Sequence, residues 1–119
     1  MGATVFVVGL SWRTAPVAVR EQLAFRDEEL PGVLDSLVSA PGIAEAMLIS
    51  TCNRVEVYGV TPSGAPGSAV AEATAAARSF LSRSRAVPAE RLAAHLYEHV
   101  AGEAVRHVFR VASSRDSLV

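Results

Sequence analysis

The sequence predicts an α+β fold, a two-layer sandwich in which helices lie on one face of a small antiparallel sheet, and three features lead there. A compact β-rich apolar run, TVFVVGL, occupies residues 4–10; two further apolar runs flank a polar tetrad at residues 51–54; and three later or intervening segments repeat apolar residues at helical spacing. With 119 residues, half of them apolar, and a mean hydropathy of +0.30, the chain has material for one packed core, and residues 1–119 are read as a single domain.

Residues 4–10 form the first strand, because Val and Phe suit a pleated, buried surface. Residues 11–17 turn the chain, with Trp12 expected as a lid over the core. Asp27 opens an acidic helix start, and Leu30, Val33, Leu34, Leu37 and Val38 make an apolar stripe. Pro31 is harmless if it falls in the first turn of that helix, where its missing N–H has no partner anyway. Pro41-Gly42 ends the element. Residues 45–50 and 55–60 read as a hairpin around Thr51, Cys52, Asn53 and Arg54. A turn-forming loop at residues 61–68 follows, with Ser68 as the expected cap of a helix over residues 69–84 whose stripe is Val70, Ala73, Ala77, Phe80 and Leu81. Residues 85–90 connect, and residues 93–99 suit an edge strand. Ala101, Ala104, Val105, Val108, Phe109 and Ala112 then define a final amphipathic helix. A ferredoxin-like split βαβ arrangement fits this order best.

Composition excludes several classes. No apolar run approaches the roughly 18 residues of a membrane span, and no secretory leader opens the chain, so a cytoplasmic location is expected. One cysteine supports neither a disulfide framework nor a thiolate zinc cluster. Eleven basic residues, all arginine, against twelve acidic ones give a net charge of −1, unlike a dedicated nucleic-acid binder. Arg78, Arg83, Arg85 and Arg91 fall close together, where a solvated helix end is a stronger reading than a phosphate site. No Gly-x-Gly-x-x-Gly follows a strand, so no dinucleotide fingerprint is present. His95 and His99 lie four apart but lack a third ligand at a recognisable spacing, and no metal is expected.

Cys52 in its polar turn is either a small buried hydrophobe or a nucleophile whose thiolate Arg54 stabilises. A reactive thiol needs a base or cation nearby, and the histidines are the candidates. His107 falls off the apolar stripe of the last helix, on the flank of Arg110, which argues against a core histidine and leaves a functional or an ordinary exposed imidazole. Glu56 alternates with Val55 and Val57 and so faces the other side of the hairpin, toward Arg54 or, as the better expectation, solvent.

Residues 8–17 (VGLSWRTAPV), 50–58 (STCNRVEVY) and 104–113 (AVRHVFRVAS) together closely resemble glutamyl-tRNA reductases, and specifically their N-terminal catalytic domain. The resemblance implies NADPH-dependent reduction of glutamyl-tRNA to glutamate-1-semialdehyde through a cysteine thioester, the first step of five-carbon tetrapyrrole synthesis. It implies Cys52 as nucleophile, His107 as a residue assisting proton transfer, and Arg54 as reader of the substrate glutamate, with Thr51, Asn53 and Ser117 completing polar contacts. It further implies that NADPH binds outside these residues, that the whole enzyme is a homodimer through another domain, and that it contacts glutamate-1-semialdehyde aminomutase. The chain departs from the family at Trp12, where His is usual, and at Ser114-Arg115, where Gly-Leu is common. The final Leu118-Val119 and the missing family segments lead to the expectation of a truncated enzyme, limited to substrate binding and acyl transfer. A non-catalytic tRNA-binding or regulatory module is the alternative.

Overall fold

The computed structural model describes residues 2–113. Strand β1 (Val5–Ser11) leads into helix α1 (Val17–Leu23), a 3₁₀ turn at Asp27–Glu29 and helix α2 (Leu30–Val38). Strands β2 (Glu45–Ser50) and β3 (Arg54–Val60) form the hairpin, followed by α3 (Ala69–Arg85), α4 (Ala89–Ala93), β4 (Tyr97–Val100) and α5 (Gly102–Ala112). The sheet order is β2-β3-β1-β4 with every ladder antiparallel. β1 and β2 therefore run parallel with β3 between them, which is the expected split βαβ.

Period-two alternation divides β1 between two cores. Phe6, Val8 and Leu10 face the larger one, where Leu23 of α1, Leu37 of α2, Ala77 and Leu81 of α3 and Leu92 of α4 are buried with Val55 and Val57 of β3. Val7 faces the smaller one, with Tyr58 and Ala104. The expectation of helices on one face holds for α1 to α4, whereas α5 crosses to the other. Ala101 makes that crossing: its backbone has φ 55° and ψ −124°, and its N–H donates to the Val5 carbonyl at 2.7 Å.

Two helices were not foreseen. α1 and α4 are seven and five residues long and bury few side chains, Val19 and Leu23 in one and Leu92 in the other, too few to register as a periodic stripe. Pro31 sits in the first turn of α2, as its missing N–H demands. Ser68 precedes α3 as expected but its hydroxyl makes no capping bond, because its backbone is already helical at φ −71°, ψ −14°. The segment read as an edge strand is one, over Tyr97–Val100. Trp12 is half-buried rather than sealed in, with the Arg13 guanidinium 4.7 Å from its ring centre.

Helix α5 departs furthest from expectation. Its apolar stripe is partly turned outward, with Val105 43% and Phe109 69% exposed, while Ala104 and His107 are buried. The small Ala104 side chain lets the helix approach Val7 and Tyr58 closely. The polar groups beneath it explain why an imidazole is accepted there.

Candidate active site

Residues 51–53 form a tight turn at the end of the sheet, and its shape is set by Thr51. The threonine Oγ1 accepts the N–H groups of Asn53 at 3.1 Å and Arg54 at 3.2 Å, while its own N–H donates to the Arg54 carbonyl at 2.8 Å. Arg20 of α1 fastens the turn from one side: Nε donates to the Cys52 carbonyl at 3.1 Å and Nη1 to that of Ala15 at 2.7 Å. Trp12 fastens it from the other, its N–H donating to the Asn53 carbonyl at 2.8 Å. Cys52 is held in this frame with its side chain exposed, which removes the buried-hydrophobe reading. The thiol borders a groove of about 480 Å³ walled by Val17, Arg20, Ala24 and Phe25 opposite Thr51 and Asn53.

On the other face of β3, one carboxylate organises the site. Glu56 is fully buried. Its Oε2 accepts from Arg54 Nη1 at 3.3 Å and from the Tyr97 hydroxyl at 2.5 Å, and meets His107 Nε2 at 2.5 Å; Oε1 accepts from the Tyr58 hydroxyl at 2.8 Å. The donors come from β3, β4 and α5. Space for the carboxylate is left by Gly9 on β1, directly opposite in the ladder: a side chain there would bring Cβ to 2.8 Å from Glu56 Cγ. Tyr97 and His99 lay their rings against His107, with centroids 5.2 and 4.8 Å away.

The electrostatics follow from this packing. Burial pushes the Glu56 carboxyl up, but the hydrogen bonds of His107, Tyr97 and Tyr58 outweigh it and hold the group below the usual carboxylate range. Burial first, and the Glu56 charge second, raise the Tyr58 and Tyr97 hydroxyls well above their ordinary value, so both remain protonated donors. His99 is pushed down, by burial and then by the neighbouring charges of His107 and Arg110.

The sequence-derived site residues thus fall into two groups. Arg54 and His107 meet on Glu56, whereas Thr51, Cys52 and Asn53 line the groove. Ser117 lies outside the described residues, as do Ser114, Arg115, Leu118 and Val119. The expectations that Glu56 faces solvent and that His107 is no core residue are both overturned, by 0% and 5% exposure. Tyr58 and Tyr97 were missed, although Arg54, Glu56 and Tyr58 at every second position of a strand is a polar row that alternation alone could have exposed. His95 and His99 do not share a face: the His95 ring Nδ1 lies 3.0 Å from the Thr14 carbonyl in the turn before β4, while His99 packs on His107. Of the four clustered arginines, Arg78 pairs with Glu98, and Arg85 pairs with Glu29 at 2.7 Å while stacking on Phe25.

Among the described residues no three His, Cys, Asp or Glu side chains gather in a metal-holding group, and no helix is long and apolar enough to cross a membrane. The described residues also lack the doubly wound frame that seats a dinucleotide in many oxidoreductases. That frame places the cofactor at the carboxyl ends of adjacent parallel strands, and here every neighbouring pair is antiparallel.

The family profile described as the N-terminal domain of glutamyl-tRNAGlu reductase matches residues 8–119. Glutamyl-tRNA reductase of Salinispora arenicola is 48% identical over 115 residues, covering 95% of this chain and 24% of its own length. That of Pelobacter propionicus is 46% identical over 115 residues, 97% of this chain and 25% of its own. Among solved structures, glutamyl-tRNA reductase from Methanopyrus kandleri superposes with a TM-score of 0.62 at 28% identity, over 96% of this chain and 23% of that one. The chain spans about a quarter of the length of the curated relatives it matches. On sequence and fold together, the chain belongs to the glutamyl-tRNA reductase family and corresponds to its N-terminal domain.

Proposed function

We propose that this domain performs the acyl-transfer half of glutamyl-tRNA reduction, with residues 1–119 as the catalytic domain of the enzyme. The observation that carries the reading is the placement of Arg54, two residues after an exposed thiol in the chain, with its buried guanidinium held on the Glu56–His107 network. The Cys52 thiolate attacks the ester carbonyl carbon, forming a C–S bond; the C–O bond to the tRNA ribose then breaks, and the departing oxygen takes up a proton. His107 serves that proton transfer. Arg54 reads the side-chain carboxylate of glutamate by a two-pronged contact, with Thr51, Asn53 and Ser117 as further polar contacts. The groove beside Cys52 accommodates the ribose end that leaves.

In this proposal NADPH is bound by another part of the whole enzyme, and this domain carries the chemistry as far as the thioester. Hydride delivery to give glutamate-1-semialdehyde, homodimer formation, contact with the aminomutase, a cytoplasmic setting and entry into tetrapyrrole synthesis complete the proposal at the level of the whole enzyme. The test is intact mass spectrometry after incubation with glutamyl-tRNA. A hydroxylamine-labile glutamyl adduct on the parent chain, absent from Cys52→Ser, is expected. No adduct with tRNA binding retained overturns the reading in favour of a binding module.

A further inference from the structure

We infer that Glu56 is the positioning residue of the acyl transfer proposed above, on which this inference rests: it fixes the His107 ring and the Arg54 guanidinium relative to one another. Stability alone does not account for a carboxylate at position 56. Fully buried and met by four donors, it is no better for stability than well-packed apolar side chains of the same volume, because the pairing mainly offsets desolvation. What the cluster does provide is direction.

An ionised carboxylate only accepts hydrogen bonds, so its contact with Nε2 at 2.5 Å requires the His107 proton on that nitrogen. Nδ1 is then the nitrogen left to accept or return a proton in the neutral ring. The rings of Tyr97 and His99 against His107 restrict its rotation, so the tautomer and the orientation are fixed together. The same oxygen holds Arg54 Nη1 at 3.3 Å and thereby sets the plane in which the guanidinium presents its N–H groups to a planar carboxylate. Tyr58 and Tyr97 in turn hold the carboxylate. The groups that meet His107 are Glu56 from β3, on which Arg54 and Tyr58 also converge, and Tyr97 and His99 from β4.

Glu56→Gln keeps the shape and removes the charge. Measured on the 119-residue chain as the rate of Cys52 acylation by glutamyl-tRNA, this variant is expected to raise KM about tenfold. It is also expected to loosen the His107 tautomer, read by nitrogen-15 NMR of the folded variant as a mixture of Nδ1–H and Nε2–H rings, since an amide can donate as well as accept. A merely structural role lowers the rate through loss of folded protein and leaves KM and the Nε2–H tautomer in place, and that result overturns the inference. An unacylated parent chain is the separate failure of the acyl-transfer reading. Nitrogen-15 NMR of the parent chain supplies an independent check that needs neither activity nor a folded variant: His107 with its proton on Nε2 is expected, and a proton on Nδ1 overturns the inference.

Discussion

Gly9 and Glu56 face each other across the β1–β3 ladder, and the carboxylate side chain occupies the space that a side chain at position 9 would fill. A Cβ there would lie 2.5 Å from the Val55 carbonyl oxygen and 2.8 Å from Glu56 Cα and Cγ. Backbone cannot move aside within a central strand, so Gly9→Ala is expected to destabilise the domain by about 2 kcal/mol, as overpacked cores do. Gly32 is the control. It sits in α2, where an added methyl would have no neighbouring atom within 4 Å, and Gly32→Ala is expected to stabilise by roughly 0.5–1 kcal/mol through helix propensity. Urea unfolding of both variants checks the opposite signs.

Val17, the first residue of α1, is 54% exposed and borders the groove beside Cys52. Val17→Trp fills that space without entering the core. If the groove takes the ribose end of the substrate, KM for acylation by glutamyl-tRNA rises about tenfold, the ~1.4 kcal/mol of one good contact. Acylation by a glutamyl ester with a small leaving group stays at the parent rate. Equal loss with both substrates would show that the groove serves the turn rather than the leaving group.

Ala101 holds φ 55° and ψ −124°, a region that only glycine enters without strain. The conformation is imposed because α5 must leave β4 and cross to the far face of the sheet, with the Ala101 N–H on the Val5 carbonyl. Ala101→Gly is therefore expected to raise stability by about 1 kcal/mol, read as a higher urea midpoint at unchanged slope. A loss of stability would mean that the Ala101 side chain contributes packing that outweighs its backbone strain.

The strands and the longer helices were legible because their apolar spacing reports one buried side. β1 and the hairpin needed only β-rich runs bounded by turn residues, and α3 buries Ala73, Ala77, Phe80 and Leu81 of its predicted stripe. What spacing cannot show is a second cover. Positions 54–59 of β3 are all buried, because α5, far later in the chain, closes over the face that alternation assigned to solvent. That one packing event changes the meaning of Glu56, Tyr58 and His107 together, and it draws Tyr97 into the site from an edge strand. The polar turn at residues 51–54 was legible as a turn because its geometry is local to Thr51 and needs no distant partner, whereas the exposure of Cys52 and the burial of Arg54 were not.

The acid stability of the domain tests the buried network directly. Glu56 is held below the usual carboxylate range, so its ionised form is favoured by folding. Its contribution is complete above the ordinary value of 4.5 and is lost as pH falls through the lowered folded value, where protonation removes the acceptor that His107, Tyr97 and Tyr58 share. His99 acts in the same direction at higher pH. Its folded value is depressed below 6.5, so between the two values the unfolded chain binds a proton that the folded chain resists, and stability falls as pH drops below 6.5. A two-stage acid limb follows, a shallow first stage from His99 and a steeper second one from Glu56. Urea midpoints measured from pH 8 to 3 should show the first stage vanish in His99→Gln and the second flatten in Glu56→Gln. A limb unchanged by both substitutions would place the acid sensitivity elsewhere, with the Glu29 carboxyl, held low by the Arg26 backbone N–H and by Arg85, as the next group to replace.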